Sequence, residues 1–166
     1  MMLKIRLLVV CLIACSTFHA STASAFSLGV MGGLSSLGGG LKTPTSSTGL
    51  SYGGELTFGT LYDFGVFYEK TKLGGVANTG TASTDAYLNF YGVLARLYID
   101  AIFFDMKAGL SLVDVPSSSS KFSYGVGAGY KYSLAPMIAL MPRVGYRSLG
   151  EGNSTLDFGV IFAVLF

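Results

Sequence analysis

LDFGVIFAVLF, residues 156–166, alternates between two faces without a break up to the last residue of the chain. One face is apolar throughout, and its members are Leu156, Phe158, Val160, Phe162, Val164 and Phe166. A period of two residues is typical of a β-strand whose side chains point alternately to opposite sides. Eleven residues is also about the length of a tilted strand that crosses a membrane. This stretch therefore predicts a membrane-spanning strand.

The same alternation recurs upstream and predicts about eight strands in all. The other segments fall at residues 26–34, 50–58, 64–68, 86–99, 104–112, 122–133 and 138–147. In the segment 86–99 either face could be the apolar one, and turning Arg96 inward favours Val93 and Ile99 on the outside. Pro142 removes one backbone donor from its strand, which predicts a local bulge there.

Longer and shorter connections alternate along the chain. The longer ones cover residues 36–49, 73–85, 113–121 and 148–154, and the shorter ones residues 61–63, 100–101 and 134–136. Outer-membrane barrels have short periplasmic turns and longer extracellular loops. The pattern therefore predicts an all-β, closed antiparallel up-and-down transmembrane barrel, with both chain termini on the periplasmic side.

Residues 1–25 have the pattern of a secretory signal peptide. Lys4 and Arg6 precede a nine-residue apolar run, and Ala23-Ser24-Ala25 provides a cleavage site. We expect export and a barrel domain of residues 26–166. An alternative is that Cys15 lies in a lipobox and is lipidated instead.

Removal of residues 1–25 narrows the possible chemistry. It removes both cysteines and the single histidine, His19, and lowers Lys+Arg from 11 to 9, which equals the nine acidic residues. A balanced charge gives no electrostatic footprint for nucleic acid. Without His or Cys, we expect no enzyme of the Ser–His–acid type, no His/Cys metal site and no cofactor.

The polar face of the predicted strands is rich in glycine and carries few charges. Soluble strand exteriors usually carry many Lys, Glu and Thr residues, whereas an eight-stranded lumen has room only for packed side chains. The apolar face therefore suits lipid. The alternative is a soluble periplasmic barrel that binds an apolar ligand inside.

Nine charged residues are predicted to face the lumen. They are Glu55, Glu69, Asp105 and Asp157, with Arg96, Lys107, Lys131, Arg143 and Arg147. Charges in a narrow lumen must pair or stay hydrated, which favours a structural network. The alternative is a constriction in a narrow passive channel for ions or small solutes.

By its signal sequence, strand number, loop asymmetry and terminal Phe166, the chain resembles the small eight-stranded outer-membrane barrels of the OmpA/OmpX-like group. The resemblance implies a place in the outer membrane of a Gram-negative cell, among lipid, with a structural or surface-interaction role through the loops. It also implies that the apolar face of residues 156–166 is recognised by the barrel-assembly machinery. Alternatively, Phe166 only anchors the last strand. A monomer is expected, because eight strands can close alone.

Overall fold

The structure is a computed structural model that describes residues 25–39, 48–76, 84–114, 120–150 and 152–166. These residues form nine strands: β1 (Ala25–Gly38), β2 (Thr48–Gly59), β3 (Tyr62–Val76), β4 (Thr84–Ile99), β5 (Ile102–Asp114), β6 (Lys121–Tyr130), β7 (Tyr132–Ala135), β8 (Ile138–Gly150) and β9 (Asn153–Leu165). The predicted signal peptide lies outside the described residues, apart from Ala25. No helix among the described residues is long and apolar enough to cross a membrane.

Every strand pairs antiparallel with its neighbours, and the two ends of the sheet meet. β6 and β7 are separated only by Lys131 and both pair with β8, so they are two pieces of one barrel strand. β1 pairs with β9 from Ser27 opposite Leu165 to Gly38 opposite Ser154, which closes the circle. The described strands therefore form a closed eight-stranded antiparallel barrel, and the predicted fold class is confirmed.

The connections of the barrel lie at its two ends, and the three longest share one end. At one end, here called the turn end, residues 60–61, 100–101 and 136–137 link the strands. At the other, the loop end, the connections are 39–47, 77–83 and 115–120, together with 151–152.

The last of these corrects the prediction of a medium loop at residues 148–154. β8 runs on to Gly150 and β9 begins at Asn153. Gly150 and Gly152 have φ angles of 77° and 75°, a left-handed conformation that glycine adopts without steric cost and that reverses the chain within two residues.

The apolar face of the strands lies on the outside of the barrel. Val30, Val93 and Met106 are 61%, 60% and 64% exposed, and similar side chains surround the barrel. Arg96, by contrast, is 2% exposed. The facing of β4 is thus the one that places Arg96 in the lumen.

The bulge expected at Pro142 is not present. The register of β8 on β9 runs unshifted through Pro142 opposite Val160. On the other side of β8 the ladder skips from Gly129–Arg143 to Tyr132–Leu140 without a change of register, and the register shifts only between Ser133 and Ala135. Because proline has no N–H to donate, the ladder is interrupted opposite it while the register on both sides is kept.

Candidate functional site in the barrel lumen

Eight charged side chains meet in the middle of the lumen and form one connected network. It contains four acids and four bases: Glu55, Glu69, Asp105, Asp157, Arg96, Lys107, Arg143 and Arg147. These side chains are 12% exposed at most. All eight belong to the nine residues that the strand alternation turns inward.

Arg96 on β4 is the first centre of this network. Its Nη1 and Nη2 donate to the two carboxylate oxygens of Glu55 at 2.7 and 3.0 Å. Its Nη2 also lies 3.6 Å from Oδ2 of Asp105. A two-pronged Arg–carboxylate pair is among the stronger and geometrically more specific hydrogen-bonded contacts. It joins β4 to β2 across the lumen.

Glu69 on β3 is the second centre and contacts three cations. Its Oε2 accepts from Arg147 Nη2 at 2.7 Å, its Oε1 accepts from Lys107 Nζ, and Arg143 Nη1 lies 3.9 Å from Oε1. Arg143 Nη2 donates to Asp105 Oδ1 at 3.0 Å, which connects the two centres. The network therefore contacts β2, β3, β4, β5 and β8 without a break.

Asp157 extends the network to β9 and to a line of hydroxyl groups. Its Oδ2 accepts from Arg147 Nη2 at 2.9 Å, and its Oδ1 accepts from Ser35 Oγ at 2.6 Å. Ser35 contacts Ser51, whose Oγ lies 3.0 Å from Thr71 Oγ1. These contacts tie β1, β2 and β3 to the charged layer through hydrogen bonds that need no further charge.

Aromatic rings cover three of the cations. Arg96 lies over Phe103, Lys107 over Phe67 and Arg147 over Phe90, each 4.9 Å from the ring centre. A cation near an aromatic face is stabilised by the negative potential of the ring. Sequence reasoning missed these rings, although strand alternation places Phe67 on the same face as Glu69.

Glycines make the space for one guanidinium group. Gly127 and Gly145 face each other across β6 and β8. A Cβ atom would lie 2.6 Å from Arg143 Nη2 if added at Gly127, and 2.8 Å from it if added at Gly145. One gap beside the network, lined by Glu69, Arg143, Arg147 and Asp157, has a volume of about 20 Å³, enough for roughly one water molecule.

Lys131, the ninth predicted lumen residue, lies apart from the network at the turn end. Its Nζ is 5.0 Å from the ring centre of Tyr98, whose hydroxyl donates to Asp63 Oδ2 at 2.8 Å. Asp63 and Lys131 line an open mouth of about 410 Å³. Sequence reasoning missed Asp63 because residues 61–63 were assigned to a connection, whereas β3 begins at Tyr62.

The C-terminal strand presents its apolar face outward, with Phe158 52% and Phe166 64% exposed. Phe166 and Phe26 exchange two backbone hydrogen bonds, of 2.7 and 3.2 Å, and their ring centres are 5.8 Å apart. The chain end thus completes the β1–β9 seam. Recognition of this strand by an assembly machinery stays a prediction.

The described residues bring together no group of three or more His, Cys, Asp or Glu side chains that could hold a metal ion. The chemistry that they do bring together is charge pairing across a closed lumen.

No family model matches the chain, and no curated protein matches it. The solved structures that are similar to it include the following three. Neisserial surface protein A has 20% identity and a TM-score of 0.61 over 89% of this chain and 100% of its own. Ail, the attachment invasion locus protein of Yersinia pestis, has 15% identity and a TM-score of 0.59 over 87% and 100%. The N-terminal β-barrel domain of Pseudomonas aeruginosa OprF has 12% identity and a TM-score of 0.55 over 86% and 97%. The chain thus has the fold of the small eight-stranded outer-membrane barrels, and the predicted resemblance to that group is confirmed at the level of the fold.

Proposed function

We propose that this chain is an integral outer-membrane β-barrel protein with a structural or surface-interaction role, performed through its loop-end connections. The observation that carries the proposal is the distribution of polarity: apolar side chains surround the outside, and paired charges fill the inside.

The outer surface supports a lipid environment. Contiguous exposed apolar patches of more than a few hundred Å² are rare on soluble monomers, whereas here exposed Leu, Val, Phe and Tyr side chains occur on every strand around the barrel. A closed barrel also satisfies its backbone hydrogen bonds internally, as a membrane-spanning chain must. The alternative of a soluble periplasmic barrel needs an apolar lumen, and the charged layer argues against it.

The lumen favours a structural role over a passive channel. Arg96, Glu69 and the residues that pair with them are buried in the lumen and satisfy one another's charges, and no enzyme chemistry is proposed for them. For planar bilayers that contain the purified protein, we expect no steady conductance above the lipid baseline. A reproducible conductance would favour the channel alternative.

A surface role is supported by the kind of proteins that share the fold. One is described as a surface protein and another as an attachment invasion locus protein. In this chain three of the four loop-end connections, residues 39–47, 77–83 and 115–120, are longer than the turn-end ones, and we propose that any partner contacts these three. We also propose that the chain is exported, is assembled through its C-terminal strand and acts as a monomer.

Cell fractionation combined with a detergent gel tests the proposal. Closed barrels resist detergent unfolding, so we expect the protein in the outer-membrane fraction, with a different gel mobility before and after boiling. Recovery from the soluble periplasmic extract with no shift on boiling would contradict membrane insertion.

A further inference from the structure

The open mouth at the turn end holds two opposite charges that are not paired with each other. Asp63 on β3 and Lys131, between β6 and β7, both line this mouth of about 410 Å³. Neither side chain forms an ion pair with the other or with any other described residue. The mouth therefore presents one acid and one base that are both open to a ligand.

The other acids of the chain do not supply a partner for Lys131. Those whose side chains lie outside the described residues are all at the loop end, at the far end of the barrel: Asp85, Asp114 and Glu151. Residues 1–24 contain no Asp or Glu. Asp100, in the turn between β4 and β5, is exposed and does not line the mouth.

Asp63 has few partners for a carboxylate that is only 7% exposed. Its Oδ2 accepts from the neutral hydroxyl of Tyr98 at 2.8 Å. Arg96 lies across from it in the β3–β4 ladder but directs both terminal nitrogens to Glu55. A buried carboxylate needs a cation or several donors to offset its lost hydration. Its Oδ1 can accept from a ligand that brings a positively charged donor.

Lys131 is held beside Asp63 by the same tyrosine. Its Nζ lies 5.0 Å from the ring centre of Tyr98, whose hydroxyl contacts Asp63. Its backbone N–H donates to the carbonyl oxygen of Ala101 at 2.7 Å, which fixes the chain at this point. An aromatic face takes up none of the three N–H donors of an ammonium group in the way that a carboxylate oxygen does. Lys131 can therefore donate to a carboxylate that enters the mouth.

Apolar side chains complete the lining of the mouth. Pro136, Met137 and Leu165 line it together with the two charged residues, and Met137 is 53% exposed. Sites for small ligands are usually apolar clefts of about 300–1,000 Å³ in which a few polar groups fix the orientation of the ligand. The turn-end mouth has this combination.

We propose that the turn-end mouth is a binding site for an α-amino acid with an apolar side chain. The ammonium group of the ligand donates to Asp63, its carboxylate accepts from Lys131, and its side chain packs against Met137 and Leu165. A ligand with one charge would leave the other charge of the mouth without a partner. The site lies at the opposite end of the barrel from the loops and does not depend on the surface role proposed for them.

The test titrates the full chain, folded in detergent and labelled at its methionine methyl groups, with L-leucine. The NMR signal of Met137 reports the mouth, and that of Met106, on the outer face, is the internal control. We expect the Met137 signal to shift and saturate as leucine is added, while the Met106 signal stays in place.

Two leucine derivatives test the recognition of charge. N-acetyl-leucine has no ammonium group, and leucinamide has no carboxylate. Because a hydrogen bond to a charged group contributes a factor of about ten or more to binding, we expect each derivative to bind at least about tenfold more weakly than leucine.

Two variants assign each charge of the ligand to its partner. D63N should weaken leucine binding at least about tenfold but change the binding of N-acetyl-leucine, which has no ammonium group, by less than about threefold. K131Q should do the same for leucine and leucinamide. D100N and K70Q remove an acid and a base outside the mouth and should bind leucine like the wild type.

Three outcomes would overturn the proposal: no shift of the Met137 signal with leucine, equal binding of leucine and its two derivatives, or equal leucine binding by the wild type, D63N and K131Q. A gel with and without boiling shows whether each variant is folded. If D63N or K131Q does not fold, the comparison of the three ligands on the wild type still decides.

Discussion

The two faces of each strand carry side chains of opposite polarity. On β3, Glu69 and Thr71 are buried in the lumen at 3% and 0% exposure, whereas Val66 and Tyr68 on the alternate positions are 52% and 45% exposed. The inside depends on particular partners at particular distances, because a buried charge that loses its partner is costly. The outer face requires only that its side chains be apolar. Substitutions on the two faces should therefore destabilise the barrel for different reasons: in the lumen by the loss of a partner, and on the outer face by a change of polarity.

The lumen itself is divided. Toward the turn end, Tyr98 and Phe103 pack with Ala139, Met141 and Ile161 in an ordinary apolar cluster. The charged network lies beyond this cluster, toward the loop end. Apolar packing tolerates the exchange of one apolar side chain for another of similar volume. The need for particular residues inside the barrel is therefore greatest in the charged network.

The largest effect is expected from Glu69→Gln. This change removes the negative charge that Lys107, Arg143 and Arg147 share and leaves the lumen with one excess positive charge. Breaking a buried ion pair from one side costs about 3–5 kcal/mol. We expect a loss of that size in the free energy of unfolding, measured by urea titration in phospholipid vesicles.

Asp100→Asn is the matched control for Glu69→Gln. It removes one acidic charge from the exposed β4–β5 turn, where changes usually stay within about 0.5 kcal/mol. If the two variants were equally stable, the network would not be a structural element of the barrel.

Placing a charge on the outer face should have the second largest effect. Met106, on β5, is 64% exposed at the middle of the apolar belt. A lysine at the bilayer midplane of a barrel costs about 2–4 kcal/mol. We expect Met106→Lys to lower the free energy of unfolding in vesicles by that amount.

Met106→Leu is the control for the outer face and should cost less than about 1.5 kcal/mol. An equal loss for the leucine and lysine variants would mean that shape rather than polarity governs the outside, and would contradict the lipid-facing assignment.

Much of the fold follows from strand alternation alone. A period of two that ends on Phe166 specifies a strand and its apolar face, and the same period places Glu55, Arg96 and Arg147 on the opposite face. Barrel closure then brings these residues together across the lumen. Inward direction could therefore be predicted without knowing any pairing.

The pairing itself could not be predicted, because it depends on the register between distant strands and on the reach of each side chain. Lys131 shares the inward direction but lies near the turn end, over Tyr98 instead of inside the network. Asp63 was missed because the start of β3 lay two residues from its predicted position. The tight β8–β9 turn depends on the left-handed conformations of Gly150 and Gly152, which a count of loop residues does not reveal.

The smallest effect is expected from Tyr98→Phe. This change tests whether the loss of one hydrogen-bond partner at the turn-end mouth costs as much stability as it does in the network. The change removes the hydroxyl that donates to Asp63 at 2.8 Å but keeps the ring beneath Lys131. A hydrogen bond to a charged group contributes about 1.5–3 kcal/mol, but water in the open mouth of about 410 Å³ can replace this donor. We therefore expect a loss of only about 1 kcal/mol in vesicles, with Tyr130→Phe, on the outer face, as the control that changes stability by less than about 0.5 kcal/mol. A loss for Tyr98→Phe as large as that for Glu69→Gln would show that water does not replace the lost donor, and the open mouth would not differ from the network in its access to water.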